Sequence, residues 1–334
     1  MRTLQMPNDT DLDVRRTAAA TGAPTGPALV PLPELGVIAV SGADTVSFLQ
    51  SQLTNDVAQL TAGQMQLNGY CTAKGRLLAT FHQWRQGDDV MLRLPREILP
   101  VVLKRLSMFV LRAKVKLADA SDAFGTTALL GATDLARGAG VEIPDAPWTG
   151  VSVGDARIDR VPGADGANDR MLLTAPTPSS LPAWCAGMPP QPAHAWWRSE
   201  IEAAVPTVFA ATQEKFVPQM INFEVLGGVN FRKGCYPGQE VVARSQYLGK
   251  LKRRMQRAHV DHVGVAIAGD VYHSGEQQPV GTVVMAAPSP RGGTDLLFEV
   301  PIDRLKSGTL HLASPTGPAL ELRGLPYDLF DPTA

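Results

Sequence analysis

The sequence predicts an α+β fold, and three observations carry that expectation. Short β-branched runs and amphipathic helical stretches are mixed with no repeated strand–helix–strand rhythm, which argues against a doubly wound parallel sheet. An antiparallel meander is legible in the first third of the chain. The last third is a series of short apolar runs parted by turns, the pattern of a small β-barrel.

The first element expected is a strand over 36–41, GVIAVS, a short apolar run with β-branched residues. Asp44 is placed to cap a helix in which Val46, Leu49 and Leu53 recur at helical spacing up to about Asn55. Strands follow over 64–72 and 76–84, joined by the Ala73-Lys74-Gly75 turn, with a third over 90–94 after Gly87-Asp88. Pro95 opens a helical pattern through Ile98, Val102 and Leu106, which tolerates Pro100 only in its first turn. Residues 110–117 read as a strand with Arg112, Lys114 and Lys116 on one face. From 118 to 192 the pattern is weakest, with Met171-Leu172-Leu173 its clearest strand. A helix is expected around 195–203, ended by Pro206, and another from Pro237 to Gly249. Segments 251–260, 281–286, 296–300 and 309–312 supply the strands of the terminal barrel.

The charge balance excludes a global field: 31 Lys and Arg stand against 32 Asp and Glu, a formal net of -1, so any basic function is local. Three widely spaced Cys, at 71, 185 and 235, argue against a disulfide framework and for a reducing compartment. No Cys or His pair has the spacing of a self-contained metal site, so no metal is expected. His259, His262 and His273 fit no zinc pattern and are read as structural. The N-terminus lacks an apolar signal core, Asp9, Asp11 and Asp13 argue against an organellar presequence, and no run reaches the roughly 20 apolar residues that span a bilayer. A cytoplasmic protein with no membrane partner is the expectation. Residues 17–33, rich in Ala, Pro, Gly and Thr, read as a flexible leader.

One stretch stands out chemically: Lys233-Gly234-Cys235-Tyr236-Pro237-Gly238-Gln239-Glu240. With Pro237 at a helix start, Cys235 lies just outside an N-terminus, where unpaired N–H groups favour negative charge and Arg232 and Lys233 add positive charge. The thiol is therefore a candidate nucleophile, redox group or soft-metal ligand. The competing reading is a turn that buries a small, semi-apolar side chain.

Extended to FRKGCYPGQEVVARSQYLGKLKRR over 231–254, this stretch resembles the signature of the YgfZ family of folate-binding proteins, relatives of the glycine-cleavage aminomethyltransferase, or T-protein. The blocks FLQSQLTND over 48–56 and CTAKGRL over 71–77 resemble the same family, as do IEAAVP over 201–206 and FVPQM over 216–220. The resemblance covers most of the chain from about Pro33 onward. It implies a T-protein-like arrangement of three domains around a central folate cavity. On that reading the chain divides into a leader over 1–33, a folate-binding region of two intertwined subdomains over 34–248, and a C-terminal β-barrel domain over 249–334.

The resemblance also implies roles. Cys235 becomes the functional thiol, with Lys233 and Gln239 beside it, and Trp196, Glu202 and Arg232 become folate-binding residues, the ligand being a non-covalent tetrahydrofolate. A flat indole suits stacking on a pterin, and a carboxylate can accept paired hydrogen bonds from its amino and ring N–H groups. Trp197 is read mainly as a core residue, and Glu202 has the competing reading of a solvated helix position. T-proteins carry an Asp pair that positions the folate nitrogen, whereas here the comparable strand reads Lys74-Gly75-Arg76-Leu77-Leu78-Ala79-Thr80 with no carboxylate, and neither Leu78 nor Ala79 can act as a general base. The family analogy implies support of iron–sulfur cluster assembly or repair, including in tRNA-thiolating enzymes, with those enzymes or assembly proteins as partners. Two rival functions stay open. One is a folate-dependent aminomethyl transferase, and the other a tRNA-binding module acting through Arg244, Lys250, Lys252, Arg253, Arg254 and Arg257, where only Tyr247 offers an interleaved aromatic.

Overall fold

A computed structural model describes residues 26–164, 169–177, 181–247 and 251–329. Its strands form three sheets, and every ladder in them is antiparallel, which is why no strand–helix–strand rhythm exists to be read. In chain order the first third contains β1 (Ala28–Pro31), β2 (Leu35–Ser41), α1 (Thr45–Gln52), β3 (Met65–Cys71), β4 (Leu77–Gln86), β5 (Asp89–Pro95), α2 (Leu99–Ser107) and β6 (Lys116–Asp119). The middle contains β7 (Phe124–Leu130), α3 (Thr133–Gly138), β8 (Thr149–Val153), β9 (Ala156–Arg160), β10 (Arg170–Pro176) and α4 (His194–Glu202). The last part contains α5 (Gln239–Tyr247), β11 (Arg253–Val260), β12 (Asp270–His273), β13 (Gly281–Pro288), β14 (Thr294–Pro301), β15 (Leu310–Leu312) and β16 (Glu321–Arg323).

The meander sheet runs β3-β4-β5-β2-β6. Its core face meets α1 and α2: Ile38, Val40, Phe81, Leu92 and Leu94 pack on Leu49 and Leu53, and on Val102 and Leu106. Leu99, Val102 and Leu106 are the buried stripe of α2, and Pro100 falls in its first turn, where no helical hydrogen bond is lost. Full burial of each such side chain contributes about 2 kcal/mol. Asp44 occupies the position before α1, but its side chain does not cap that helix. Its Oδ2 accepts instead from the Lys114 N–H at 2.7 Å, pinning the turn that leads into β6. The strand expected over 110–117 is correspondingly shorter and later, because turns occupy 111–114 before β6 begins.

A second sheet, β1-β7-β10-β9-β8, is built from the stretch whose pattern was weakest. Its edge strand β1 lies inside the segment expected to be a flexible leader. Ala28 and Val30 are fully buried and the strand pairs with β7 from Ala28↔Leu130 to Pro31↔Thr127. The ladder across 100 residues is what orders this Ala- and Pro-rich stretch, so the leader expectation fails for 28–31, while residues 1–25 lie outside the described part. The third sheet, β15-β12-β13-β14-β11-β16, is a curled half-barrel at the place where the terminal barrel was expected. α4 packs on its β13 and β14. Among the described residues, no helix is long and apolar enough to cross a membrane.

Candidate functional site

Three of the other sequence blocks converge on the Cys235 loop. Thr54 and Asn55, at the end of the 48–56 block, tie β3 to the loop at 227–230. The Thr54 hydroxyl donates to the Gly228 carbonyl at 2.7 Å, and the Asn55 amide donates to the carbonyls of Leu67 at 2.8 Å and Gly227 at 2.6 Å. Asn230 N–H closes the connection on the Thr54 carbonyl at 3.0 Å. Lys233 is buried, and its ammonium donates to the carbonyls of Gln50 at 2.6 Å and Leu53 at 2.5 Å. These are C-terminal carbonyls of α1, unpaired within the helix and carrying partial negative charge. Burial pulls the Lys233 amine down to about 8, against the opposing pull of Asp56. The ammonium also lies 5.2 Å from the Tyr236 ring centroid, and Tyr236, buried beneath the loop, has its phenol pushed up by desolvation.

The other side of the loop rests on the 71–77 block. Gly238 adopts φ +81, and a Cβ there would stand 2.3 Å from the Thr72 carbonyl oxygen and 2.6 Å from Gly75 Cα. Only glycine combines that backbone with that approach. Gly75, itself at φ +69, turns the chain between β3 and β4, its N–H donating to the Thr72 carbonyl at 2.9 Å. Below it, Leu77 and the 214–216 segment exchange backbone hydrogen bonds at 2.8 Å, and the Gln219 amide donates at 2.8 Å to the Val242 carbonyl inside α5. α5 begins at Gln239, two residues later than Pro237 suggests, because Pro237 and Gly238 are used in the turn. Cys235 is left exposed at the crest of this clamped loop, whereas Cys71 and Cys185 are buried.

A second feature lies farther along β4. A cleft opens between the meander sheet and α4, with Thr80, His82, Arg93, Trp196, Trp197 and Glu200 among its lining. Leu67, His82 and Arg93 form one row across β3, β4 and β5, being register partners on three adjacent strands. Arg93 is buried; it donates to the Thr174 hydroxyl at 2.8 Å and lies 3.8 Å from Asp159, while its Nε has no partner among the described residues. Burial lowers the Arg93 guanidinium to about 10. Glu200 is buried and closed by Arg170, which also stacks 4.6 Å above the Trp196 ring. Burial pushes the Glu200 carboxyl up, with the Arg170 charge opposing.

The sequence-predicted residues divide between these two places. Cys235, Lys233 and Gln239 share the loop, and Arg232 is exposed beside them, its N–H held by the Asn230 side chain at 2.8 Å. Trp196 and Trp197 both reach the cleft wall, so Trp197 is more than a core residue; its indole N–H donates to Glu34 at 3.0 Å. Glu202 does not line this cleft. Its carboxylate is half-exposed, 3.5 Å from Arg198, and desolvation pushes it up. The basic stripe is largely spent internally: Arg253 pairs with Glu299, Arg254 with Glu224, and Arg257 donates to the Glu202 carbonyl, while Lys250 lies outside the described residues. His82, Arg93, Glu200 and Glu34 were missed. The signal available for two of them was polar side chains at same-face positions of adjacent strands in an otherwise apolar meander.

No family profile matches the chain. The chain is 32% identical over 234 residues to a protein named tRNA-modifying protein YgfZ from Colwellia psychrerythraea, covering 68% of this chain and 70% of that one. Proteins of the same name from Vibrio vulnificus and Yersinia pseudotuberculosis are 33% and 29% identical, the latter match covering 93% of this chain and 95% of its relative. Among solved structures, the glycine cleavage system aminomethyltransferase T from Bartonella henselae superposes with a TM-score of 0.71 over 90% of this chain and 86% of its own, at 17% identity.

Proposed function

Because the chain belongs to the YgfZ family, whose relatives carry the name tRNA-modifying protein, we propose that it binds a tetrahydrofolate and acts through the Cys235 thiol to support iron–sulfur enzymes, tRNA-thiolating enzymes among them. The observation that carries this reading is the presentation of Cys235. One thiol stands exposed on a loop clamped from both sides, by Lys233 on α1 and by Gly238 on the β3–β4 turn. A thiolate is both a soft ligand and a nucleophile, and an immobilised, solvent-facing one serves either role toward a protein-borne cluster or its sulfur.

The cleft chemistry fits a planar heterocycle. It offers the Trp197 indole, apolar walls from Leu35 and Leu67, and a buried Arg93 Nε with no partner among the described residues. Trp197, His82 and Arg93 would hold the ring. A bound tetrahydrofolate supplies nitrogens that carry one-carbon units. The β4 face that meets it carries Thr80 and His82 and no carboxylate, which favours a binding role over aminomethyl transfer. The tRNA-contact reading is weakened by the internal pairing of Arg253 and Arg254.

The test uses Cys235→Ser in the full chain. Tetrahydrofolate titration by calorimetry should show unchanged affinity, while complementation of a strain lacking the protein, scored by a tRNA thiolation product, should fail. Full complementation by this variant refutes the role of the thiol.

A further inference from the structure

Four large apolar side chains stand exposed on α2 and the turn after it: Val101, Met108, Phe109 and Leu111. Val101 and Met108 share the outer helical face with Lys104, so the strip runs about 10 Å along the axis before it enters the turn. That turn is fixed. The Ala113 N–H donates to the Val110 carbonyl at 2.8 Å, Lys114 N–H is held by Asp44 at 2.7 Å, and Val110 and Val115 pack on the core. Leu111 is left pointing outward, 88% exposed at φ +43, a left-handed backbone that a branched side chain rarely takes. Gly or Asn would adopt that backbone at lower cost, and a polar side chain would suit water, so Leu111 serves neither the fold nor its solubility. An apolar strip of this kind marks an interaction site.

The same segment is uniformly basic. No Asp or Glu occurs over 98–118, and the side chains of Lys104, Arg112, Lys114 and Lys116 make no hydrogen bond or ion pair among the described residues. Arg105 turns inward to the Tyr70 phenol, and the Asp44 carboxylate is taken by a backbone N–H. An apolar centre rimmed by unpaired cations matches a protein interface whose partner is acidic at its rim. A second copy docking this face through a two-fold axis would set the cations against each other. RNA single strands call for a stacking platform, and Phe109 is the one aromatic ring over 98–118. Val101, Met108 and Leu111 gain instead by entering a protein recess, to whose shape the flexible Met adapts.

We propose that the outer face of α2 and the turn after it dock a partner protein that presents carboxylates around an apolar recess, which receives Leu111. This surface is separate from the Cys235 loop. Lys114 is tied to Asp44 ahead of α1, whereas Lys233 sits on the carbonyls at the other end of that helix. Docking here is therefore independent of the thiol.

In the full chain, p-benzoylphenylalanine is placed at position 111, or at position 88 in the exposed turn between β4 and β5 as a control, and cells expressing each form are illuminated. A protein adduct specific to position 111 should form. That protein, identified by mass spectrometry and purified, is then titrated into the unmodified chain by calorimetry. Its affinity should fall about 10-fold between about 50 and 300 mM NaCl, and Leu111→Asn and Arg112→Glu should each weaken it by about 10-fold. Leu111→Asn should melt at or above the wild-type temperature, because Asn tolerates a positive φ. A lower melting temperature means that the Leu111 side chain serves the fold, and overturns the docking role. So does the absence of an adduct specific to position 111, or an adduct with RNA, lipid or a second copy of this chain alone. A purified partner whose affinity ignores salt or either substitution overturns it as well.

Discussion

Gly75 and Gly238, 163 positions apart, pack backbone against backbone: a Cβ on Gly238 would stand 2.6 Å from the Gly75 Cα. The contact joins the turn between β3 and β4 to the start of α5, and so places the two most distinctive blocks of the sequence side by side. Cys235 lies three residues before this contact and is exposed.

Substituting Gly238 with Ala tests that contact. The added methyl group meets the Thr72 carbonyl at 2.3 Å and forces a positive φ on a residue with a side chain. A loss of about 2–4 kcal/mol in urea unfolding is expected, from strain plus the displaced turn. A variant as stable as wild type would mean that the loop is held elsewhere.

Lys233 makes stability depend on pH in a defined direction. Its folded value, about 8, lies below the ordinary lysine value of 10.5, so the folded state releases its proton first and stability rises as pH increases from about 8 to about 10.5. Between pH 7 and pH 9.5 wild type should gain about 2 kcal/mol relative to Lys233→Met, which cannot titrate there. Parallel urea curves for the two proteins at both pH values measure the difference. A constant offset contradicts the buried-amine assignment.

The three thiols should separate under native conditions. Cys235 is exposed, whereas burial pushes Cys185 up to about 11 and Cys71 further still. Iodoacetamide at pH 7.5 should label Cys235 alone within the time that denaturation is needed to label the others, read by peptide mass spectrometry. Comparable labelling of Cys71 would show that the loop-side strand β3 opens locally.

Removing one partner of the buried Arg170–Glu200 pair should be costly. Arg170→Met leaves the buried Glu200 carboxylate without its hydrogen-bonded cation, with only the charge of Arg93 nearby, and a loss of about 3–5 kcal/mol is expected. The double variant Arg170→Met, Glu200→Leu should recover part of that loss. If the single variant is neutral by thermal and urea unfolding, Glu200 is protonated in the fold.

Helix α2, the meander and the Cys235 loop were legible in the sequence because each is written locally. Leu99, Val102 and Leu106 have helical spacing, a Gly turn parts β3 from β4, and a Cys sits in a Gly- and Pro-rich run ahead of a helix. The strand at 28–31 was not legible, since its pattern is that of a linker and its order comes from β7, some 100 residues away. The rival reading of a basic stripe loses three of its side chains for a related reason. Arg253, Arg254 and Arg257 look alike in sequence, but each points at an acceptor contributed by a distant segment.

By itself the sequence determined the family, the α+β class and the Cys that the loop ahead of α5 carries, because these depend on residue types in short, ordered runs. Tertiary structure alone decided that Gly75 meets Gly238, that the Lys233 ammonium ends on the carbonyls of α1, and that His82 and Arg93 face one cleft with Trp197. Those are contacts between segments far apart in the chain, set by antiparallel register and by the helix that packs over the sheet, and no local pattern encodes which distant partner a side chain will reach.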